Sequence, residues 1–371
     1  MIEHIILTIT SRCNARCKMC HMWQRNDSDI PLDKIKEILG SSSLKNSLVS
    51  LVPTGGEPIL HENLPEIFEY AFENLRSLRS AGFFTNSLLP HKVYEVVEKT
   101  MDLKAKHGRK DVSFSVGLSL DGYGSTHDDI RGIKGAFGKV MENYLGLKEL
   151  TRKEKFYIGF NFVVQKENLA GGDALFMLDI AERALLPILF PIAYSKDTFY
   201  NIGNASDWSV EEGMLKDAVS FYSEAAKRAK KGRLLVDNGA YYEMVLGRLH
   251  GGRRTLPCLF RENKACVVDA DGSVYHCDLT RESLIGNIYE KSFDKIWNSS
   301  QRDVAYQKMV GYCDRCFSNC AVGSVRHQLR ELWNSKGLAG IMRLSYAEAT
   351  KRIYRLKRLI DEYKYAIWPR L

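Results

Sequence analysis

Six short apolar runs rich in β-formers recur along the first half of the chain: Ile5 to Ile9, Leu48 to Val52, Ala81 to Thr85, Val112 to Leu120, Phe156 to Val164 and Ile188 to Ala193. Each interval before the last run can hold a helix. Strands that alternate with helices pair in parallel, because every crossover returns the chain to the same end of the sheet. The pattern predicts an α/β fold on a parallel sheet. Helix signals agree. "ENLPEIFEYAFENLRSL" has Pro65 near a helix start and apolar residues at helical spacing. "WSVEEGMLKDAVSFYSEAAKRAKKG" has Ser209 and Glu212 in capping-box register and ends at Gly232, which predicts a long helix. Gly, Asn, Ser and Arg accumulate near 195–208 and 250–256, where boundaries are expected.

The nine cysteines fall in two groups, three between 13 and 20 and six between 258 and 320, with none in the 237 residues between. A secreted disulfide scaffold is short and cross-linked along its length, so metal ligation is the better reading. The first group, "SRCNARCKMCHMW", sets Cys13, Cys17 and Cys20 on one tight loop after the first predicted strand. A closed structural metal site takes four protein ligands, so three suggest an open position. Three thiolates at this spacing can hold three irons of a cubane cluster and leave the fourth iron free to chelate another molecule. On the residues alone, a zinc site completed by His21 or by a distant cysteine is the alternative.

With 371 residues, 45% of them hydrophobic and 26% charged, the chain can bury one large core or two smaller ones. The net charge of +8 would allow a polyanionic partner, but acidic residues are interspersed almost everywhere, so the charge reads as solvated helix faces. No nucleic-acid partner is expected. No run approaches the roughly 20 apolar residues of a membrane span. Ile5 to Ile9 is too short for a signal-peptide core, so a cytoplasmic enzyme is expected.

Further motifs stand at successive predicted strand ends: "TGGEP" at Thr54 to Pro58, "FTNS" with Asn86, and "SLDG" with Ser119 and Asp121. "HDDIRG" with Arg131 follows, and "GFNFVVQKEN" adds Asn161 and Val163. Parallel barrels build their sites at C-terminal strand ends. In this combination, over roughly the first 200 residues, the chain resembles the radical S-adenosylmethionine (SAM) superfamily. Met19 departs from the aromatic residue that the family places before its third cysteine. The resemblance implies a partial (β/α)6 parallel barrel over 1–205 and a [4Fe-4S] cluster on Cys13, Cys17 and Cys20. It implies SAM contacts from Gly55, Gly56, Glu57, Asn86, Ser119, Asp121, Arg131, Asn161 and Val163, with the GGE loop against the amino group of SAM. The implied chemistry is reductive cleavage of SAM to a 5′-deoxyadenosyl radical that abstracts hydrogen from an unactivated carbon. A flavodoxin or ferredoxin would supply the electron.

In the second group, "PCLFRENKACVVDADGSVYHC", the spacing of Cys258, Gly272 and Cys277 resembles the signature of SPASM and twitch subdomains. Asp271-Gly272 reads as a hairpin turn. Downstream only Cys313, Cys316 and Cys320 follow, and six thiolates are too few for two all-cysteine clusters. One auxiliary [4Fe-4S] cluster is expected. By resemblance its ligands are Cys258, Cys277, Cys313 and Cys316, in a cysteine-rich hairpin and helix subdomain over 256–322, reached by a helical link over 206–255. Cys320 could replace one of the four, and a zinc ribbon is the residue-level alternative. Cys266, within the apolar "ACVVDA", reads as a small buried hydrophobe. As in radical SAM epimerases, Cys266 or Cys320 could instead give a hydrogen atom to the substrate radical.

The substrate expected is sugar-like or another small polar natural product, undergoing epimerisation or dehydrogenation. The first strand begins near residue 4, so no peptide-recognition domain precedes it, which is why a ribosomally made peptide stands as the alternative. A non-catalytic zinc and nucleic-acid-binding protein is the reading from another class. The tail over 323–371 is expected to be helical, basic and amphipathic. It carries Ile353, Leu356, Leu359, Ile360, Tyr363 and Ile367 on one face, which suits either packing on the barrel or peripheral contact with anionic lipid.

Overall fold

Alternation within each strand sorts the chain into layers. In β1 (His4–Thr10), Ile5, Leu7 and Ile9 are fully buried on one face, whereas Ile6, Thr8 and Thr10 take the other. The same alternation runs through β2 (Ser50–Gly55), β3 (Ser80–Thr85), β4 (Ser113–Ser119), β5 (Phe156–Asn161) and the two-residue β6 (Ile188–Leu189). The computed structural model describes residues 1–153, 155–193, 214–236 and 238–319.

The six strands pair in parallel in the order β6-β5-β4-β3-β2-β1. Their crossovers carry α1 (Leu32–Leu39), α2 (Leu64–Asn74), α3 (Pro90–Lys106), α4 (Ser125–Arg131), α5 (Ala136–Lys148), α6 (Lys166–Ala170) and α7 (Asp173–Arg183). This is the partial parallel barrel that the sequence predicts. Pro65 lies in the first turn of α2, where its missing N–H has no helical partner to lose. The outer face of the sheet packs on the helices through residues such as Phe68 of α2, Phe83 and Phe114, with the Phe68 and Phe114 rings edge to face at 5.0 Å. Each such fully buried side chain stabilises the fold by about 1.5–3 kcal/mol relative to exposure.

The inner face is built differently. Aligned rows of the sheet read Gly82, Ser115 and Tyr157, then Phe84, Gly117 and Gly159. A methyl group on Gly117 would lie 2.2 Å from the Phe84 ring, so the ring lies across that glycine. Phe84 remains 44% exposed and Tyr157 55%, so side chains do not fill this side of the barrel as they fill a closed one.

After β6 the described chain resumes in α8 (Leu215–Lys230), whose Ala218, Phe221, Tyr222, Ala225 and Ala229 form one buried stripe, and α9 (Gly239–Leu249) packs beside it. Ser209 and Glu212 lie outside the described residues. The cysteine-rich segment does not form a free-standing hairpin. Its first strand, β7 (Ala265–Val268), pairs in parallel with β1, and β8 (Ser273–Tyr275) and β9 (Leu284–Asn287) follow antiparallel, which extends one sheet to nine strands. The expected turn at Asp271-Gly272 joins β7 to β8, with Gly272 at φ +84° and its N–H donating to Asp269 O at 2.9 Å. α10 (Phe293–Trp297) and α11 (Ser300–Cys313) complete the described chain. The tail over 323–371 lies outside it.

Candidate active site

The first cysteine loop leaves β1 at its C-terminal end and is clamped by backbone bonds from both sides. Gly56 N donates to Thr10 O at 3.0 Å and Glu57 N to Arg12 O at 2.8 Å, while Arg16 N donates to Arg131 O and Lys18 N to Ile130 O, both at 2.9 Å. Gly55 and Gly56 are required by this clamp. A methyl group on Gly55 would lie 2.0 Å from Thr10 O, and one on Gly56 would lie 2.4 Å from Arg12 O. At both glycines the loop's own backbone takes the space that a side chain would fill.

Glu57 is likewise committed to the protein. Its carboxylate accepts from Asn86 N at 2.6 Å and from Ile59 N at 3.4 Å, and it is fully buried. Burial pushes its carboxyl up to about 7, although the N–H of Asn86 works in the opposite direction. Asn86, held there, donates to Asn14 Oδ1 at 2.7 Å and stands 3.8 Å from Cys13 Sγ. Arg131 reaches Cys17 Sγ at 3.5 Å and pairs with Asp121 at 2.5 Å. Burial opposes the Arg131 charge, but Asp121 and Cys17 hold the guanidinium protonated. Asp121 Oδ1 also accepts from Val163 N at 2.8 Å, so the ends of β4 and β5 are tied together. Ser119 and Asn161 pair across those strand ends. Val163 packs with Cys13, Cys17, Cys20 and Leu88 in one small apolar cluster.

Sequence reasoning missed Asn168 and His127 in this network. Asn168 Nδ2 donates to Asp121 O at 3.0 Å and Val163 O at 2.8 Å, and His127 Nδ1 faces Asp121 N at 3.0 Å. The signal for Asn168 was present, since it forms a capping box with Gln165 at the start of α6.

Cys258, Cys277, Cys313 and Cys316 line one cavity together with Arg254, Arg261, Asp278 and Met309. Cys20 packs against the same apolar layer, formed by Met22, Phe260, Cys277, Met309 and Cys313, so the two cysteine groups meet on the inner side of β1 and β7. Cys266 does not join them. It pairs with Ile5 and is fully buried in the helix-side core, whereas its neighbours Ala265 and Val267 face the cysteine layer. The period of two puts its thiol on the wrong face, which corrects the hydrogen-donor expectation for this residue. Cys320, the other candidate donor, lies outside the described residues.

The donor chemistry suits iron–sulfur clusters. Irons of such clusters are held by Cys thiolates; burial pushes the free Cys13 thiol up to about 11 and Cys20 up to about 12, so cluster binding there would displace protons. Among the described residues, no group of three His, Cys, Asp or Glu side chains could hold a single metal ion.

Comparisons with known proteins agree. A family model described as the radical SAM superfamily matches residues 7–170, and one described as an iron–sulfur cluster-binding SPASM domain matches 258–317. The chain is 27% identical over 333 residues to the Fe-coproporphyrin III synthase of Methanosarcina barkeri, covering 84% of this chain and 76% of that protein. It is 22% identical over 343 residues to the antilisterial bacteriocin subtilosin biosynthesis protein AlbA of Bacillus subtilis, covering 85% and 67%. Its fold matches the structure of native anSMEcpe with bound AdoMet and Cp18Cys peptide, with a TM-score of 0.60 at 16% identity over 94% of this chain and 99% of that one. The chain belongs to the radical SAM superfamily and is a radical SAM enzyme with a SPASM domain, whose cofactors are a [4Fe-4S] cluster, SAM and auxiliary iron–sulfur.

Proposed function

We propose that the enzyme is a maturase that modifies a peptide, with Cys13, Cys17 and Cys20 holding the SAM cluster and Cys258, Cys277, Cys313 and Cys316 holding one auxiliary cluster. The observation that carries the substrate reading is the inner face of the sheet. On β2 to β5 its residues are serine, threonine, glycine, valine, asparagine, phenylalanine and tyrosine, with no charge among them. A peptide segment suits such a surface, because backbone amides pair with hydroxyls and an apolar side chain can lie on the Phe84 ring. A substrate bearing several carboxylates would find no countercharge on these strands. The names of AlbA and of the peptide-bound neighbour point the same way. The peptide reading replaces the sugar-like expectation.

Bound cluster and SAM supply a hydrogen-abstracting carbon radical; the residues position and shield it. Arg131 and Asn86 donate toward Cys17 and Cys13, and Glu57 keeps Asn86 in place. Gly55, Gly56, Ser119, Asp121, Asn161 and Val163 form the strand-end rim on which SAM would rest. A contact of residues 346–371 with membranes lies outside the described residues, and liposome flotation with and without that segment decides it.

The test uses anaerobically reconstituted protein with SAM and dithionite. Synthetic peptides with an uncharged core segment are compared with the same peptides carrying Asp or Lys there, with uncharged sugars and with coproporphyrin. Peptide-stimulated 5′-deoxyadenosine and a mass change in the uncharged peptides are expected, both absent in the Cys13→Ala/Cys17→Ala/Cys20→Ala variant. Stimulation by coproporphyrin or a sugar, with the peptides inert, would overturn the reading.

A further inference from the structure

Around the auxiliary cavity, which Arg261 also lines, Cys316 and Cys277 each have a charged side chain within 3.6 Å of the sulfur, and these two charges are opposite. Arg254 Nη1 lies 3.3 Å from Cys316 Sγ. The guanidinium is held in that position by backbone carbonyls on both cysteine segments: Nη1 donates to Ser318 O at 2.6 Å, Nε to Leu256 O at 3.1 Å and Nη2 to Pro257 O at 3.4 Å. Its own N–H donates to Asp314 O at 3.1 Å. Arg254 thus spans the approach to Cys258 and the loop of Cys316, and its fork geometry is what lets one side chain do both. Across the cavity, Asp278 Oδ1 lies 3.6 Å from Cys277 Sγ, and Asp278 is 3% exposed. The sequence reading took "HGGRRTL" as a boundary, because nothing local marks an arginine as the neighbour of a thiol 62 residues on.

We infer that Arg254 and Asp278 set the reduction potential of the auxiliary cluster with opposing sign, Arg254 raising it through Cys316 and Asp278 lowering it through Cys277. The potential of such a cluster follows its net charge, the hydrogen bonds to its sulfurs and its exposure to solvent. Reduction adds one negative charge to the cluster. A guanidinium donating to a ligand sulfur stabilises that charge, and a buried carboxylate beside another ligand opposes it. Arg254 is a positioning residue in this reading: it acts on the cluster through Cys316.

The inference rests on the ligand assignment above, which iron and sulfide per chain test separately: about eight irons in the wild type and about four when Cys258, Cys277, Cys313 and Cys316 are replaced by alanine. The measurement is an anaerobic redox titration of the full-length loaded enzyme followed by electron paramagnetic resonance, with the SAM cluster as internal reference. Arg254→Gln is expected to move the auxiliary midpoint to lower potential, Asp278→Asn to higher potential, and Arg254→Lys to leave it nearer the wild type than Arg254→Gln does. The reference midpoint stays in place in all three. Equal midpoints in Arg254→Gln and wild type at full iron content, or shifts of the same sign in Arg254→Gln and Asp278→Asn, overturn the inference. Should Arg254→Gln fail to retain auxiliary iron, Asp278→Asn decides alone, and a midpoint that is unchanged or lowered refutes it.

Discussion

Replacing Gly55 with alanine should loosen the first cysteine loop from the sheet. The new methyl group would lie 2.0 Å from Thr10 O, where ordinary contact begins at about 3.4 Å, so strand and loop must separate by about 1.4 Å. That movement breaks the bond from Gly56 N to Thr10 O and strains the one from Glu57 N to Arg12 O. Gly55 also sits at φ +146°, a region open almost only to glycine. Overpacking costs about 1–3 kcal/mol, a lost buried hydrogen bond about 1, and the backbone strain about 1–3. Together these reach roughly 3–7 kcal/mol, comparable to the net stability of a typical domain. Because Cys13 follows Thr10 by three residues, the damage should reach the cluster. Iron per chain after reconstitution and the thermal midpoint should both fall. Gly138→Ala is the control, since nothing lies within 4 Å of a methyl group there and the position is inside α5. It should be neutral or stabilising by about 0.5–1 kcal/mol. A Gly55→Ala enzyme with wild-type iron and wild-type midpoint would show that the clamp does not hold the loop.

The Glu57 carboxyl binds its proton more tightly folded, at about 7, than at its ordinary value of 4.5, so its contribution favours folding at low pH and is lost as pH rises from 4.5 through 7. Glu57→Gln should flatten that part of the pH–stability curve by about 3 kcal/mol, measured as thermal midpoint against pH; an equally steep curve in the variant refutes it. Asp121→Asn leaves a buried guanidinium without its carboxylate and should cost about 3–5 kcal/mol in denaturant unfolding, with part recovered in Asp121→Asn/Arg131→Gln. A cost below about 1 kcal/mol would mean that water already screens the pair. Cys266→Ala should lose about 1 kcal/mol of stability and form product at the wild-type rate; product lost with SAM cleavage intact would restore its hydrogen-donor role.

What could be read directly from the sequence was local. The periods of two and 3.6 announce six strands and their crossovers, Asp271-Gly272 announces its turn, and the spacing of three cysteines announces an open cluster site, since each pattern is complete within a few residues. Tertiary structure decided the rest. That β7 adds to the free edge of β1 depends on strands about 260 residues apart, and this pairing alone sends Cys266 to the helix side and Ala265 and Val267 to the cysteine layer. Gly55, Gly56 and Glu57 could be recognised as a motif, but their partners Thr10, Arg12 and Asn86 come from other strand ends. Arg254 carries no local mark at all. Side-chain direction and long-range pairing are set by packing the whole sheet, so a linear pattern can name the residues of a site without saying which of them face it.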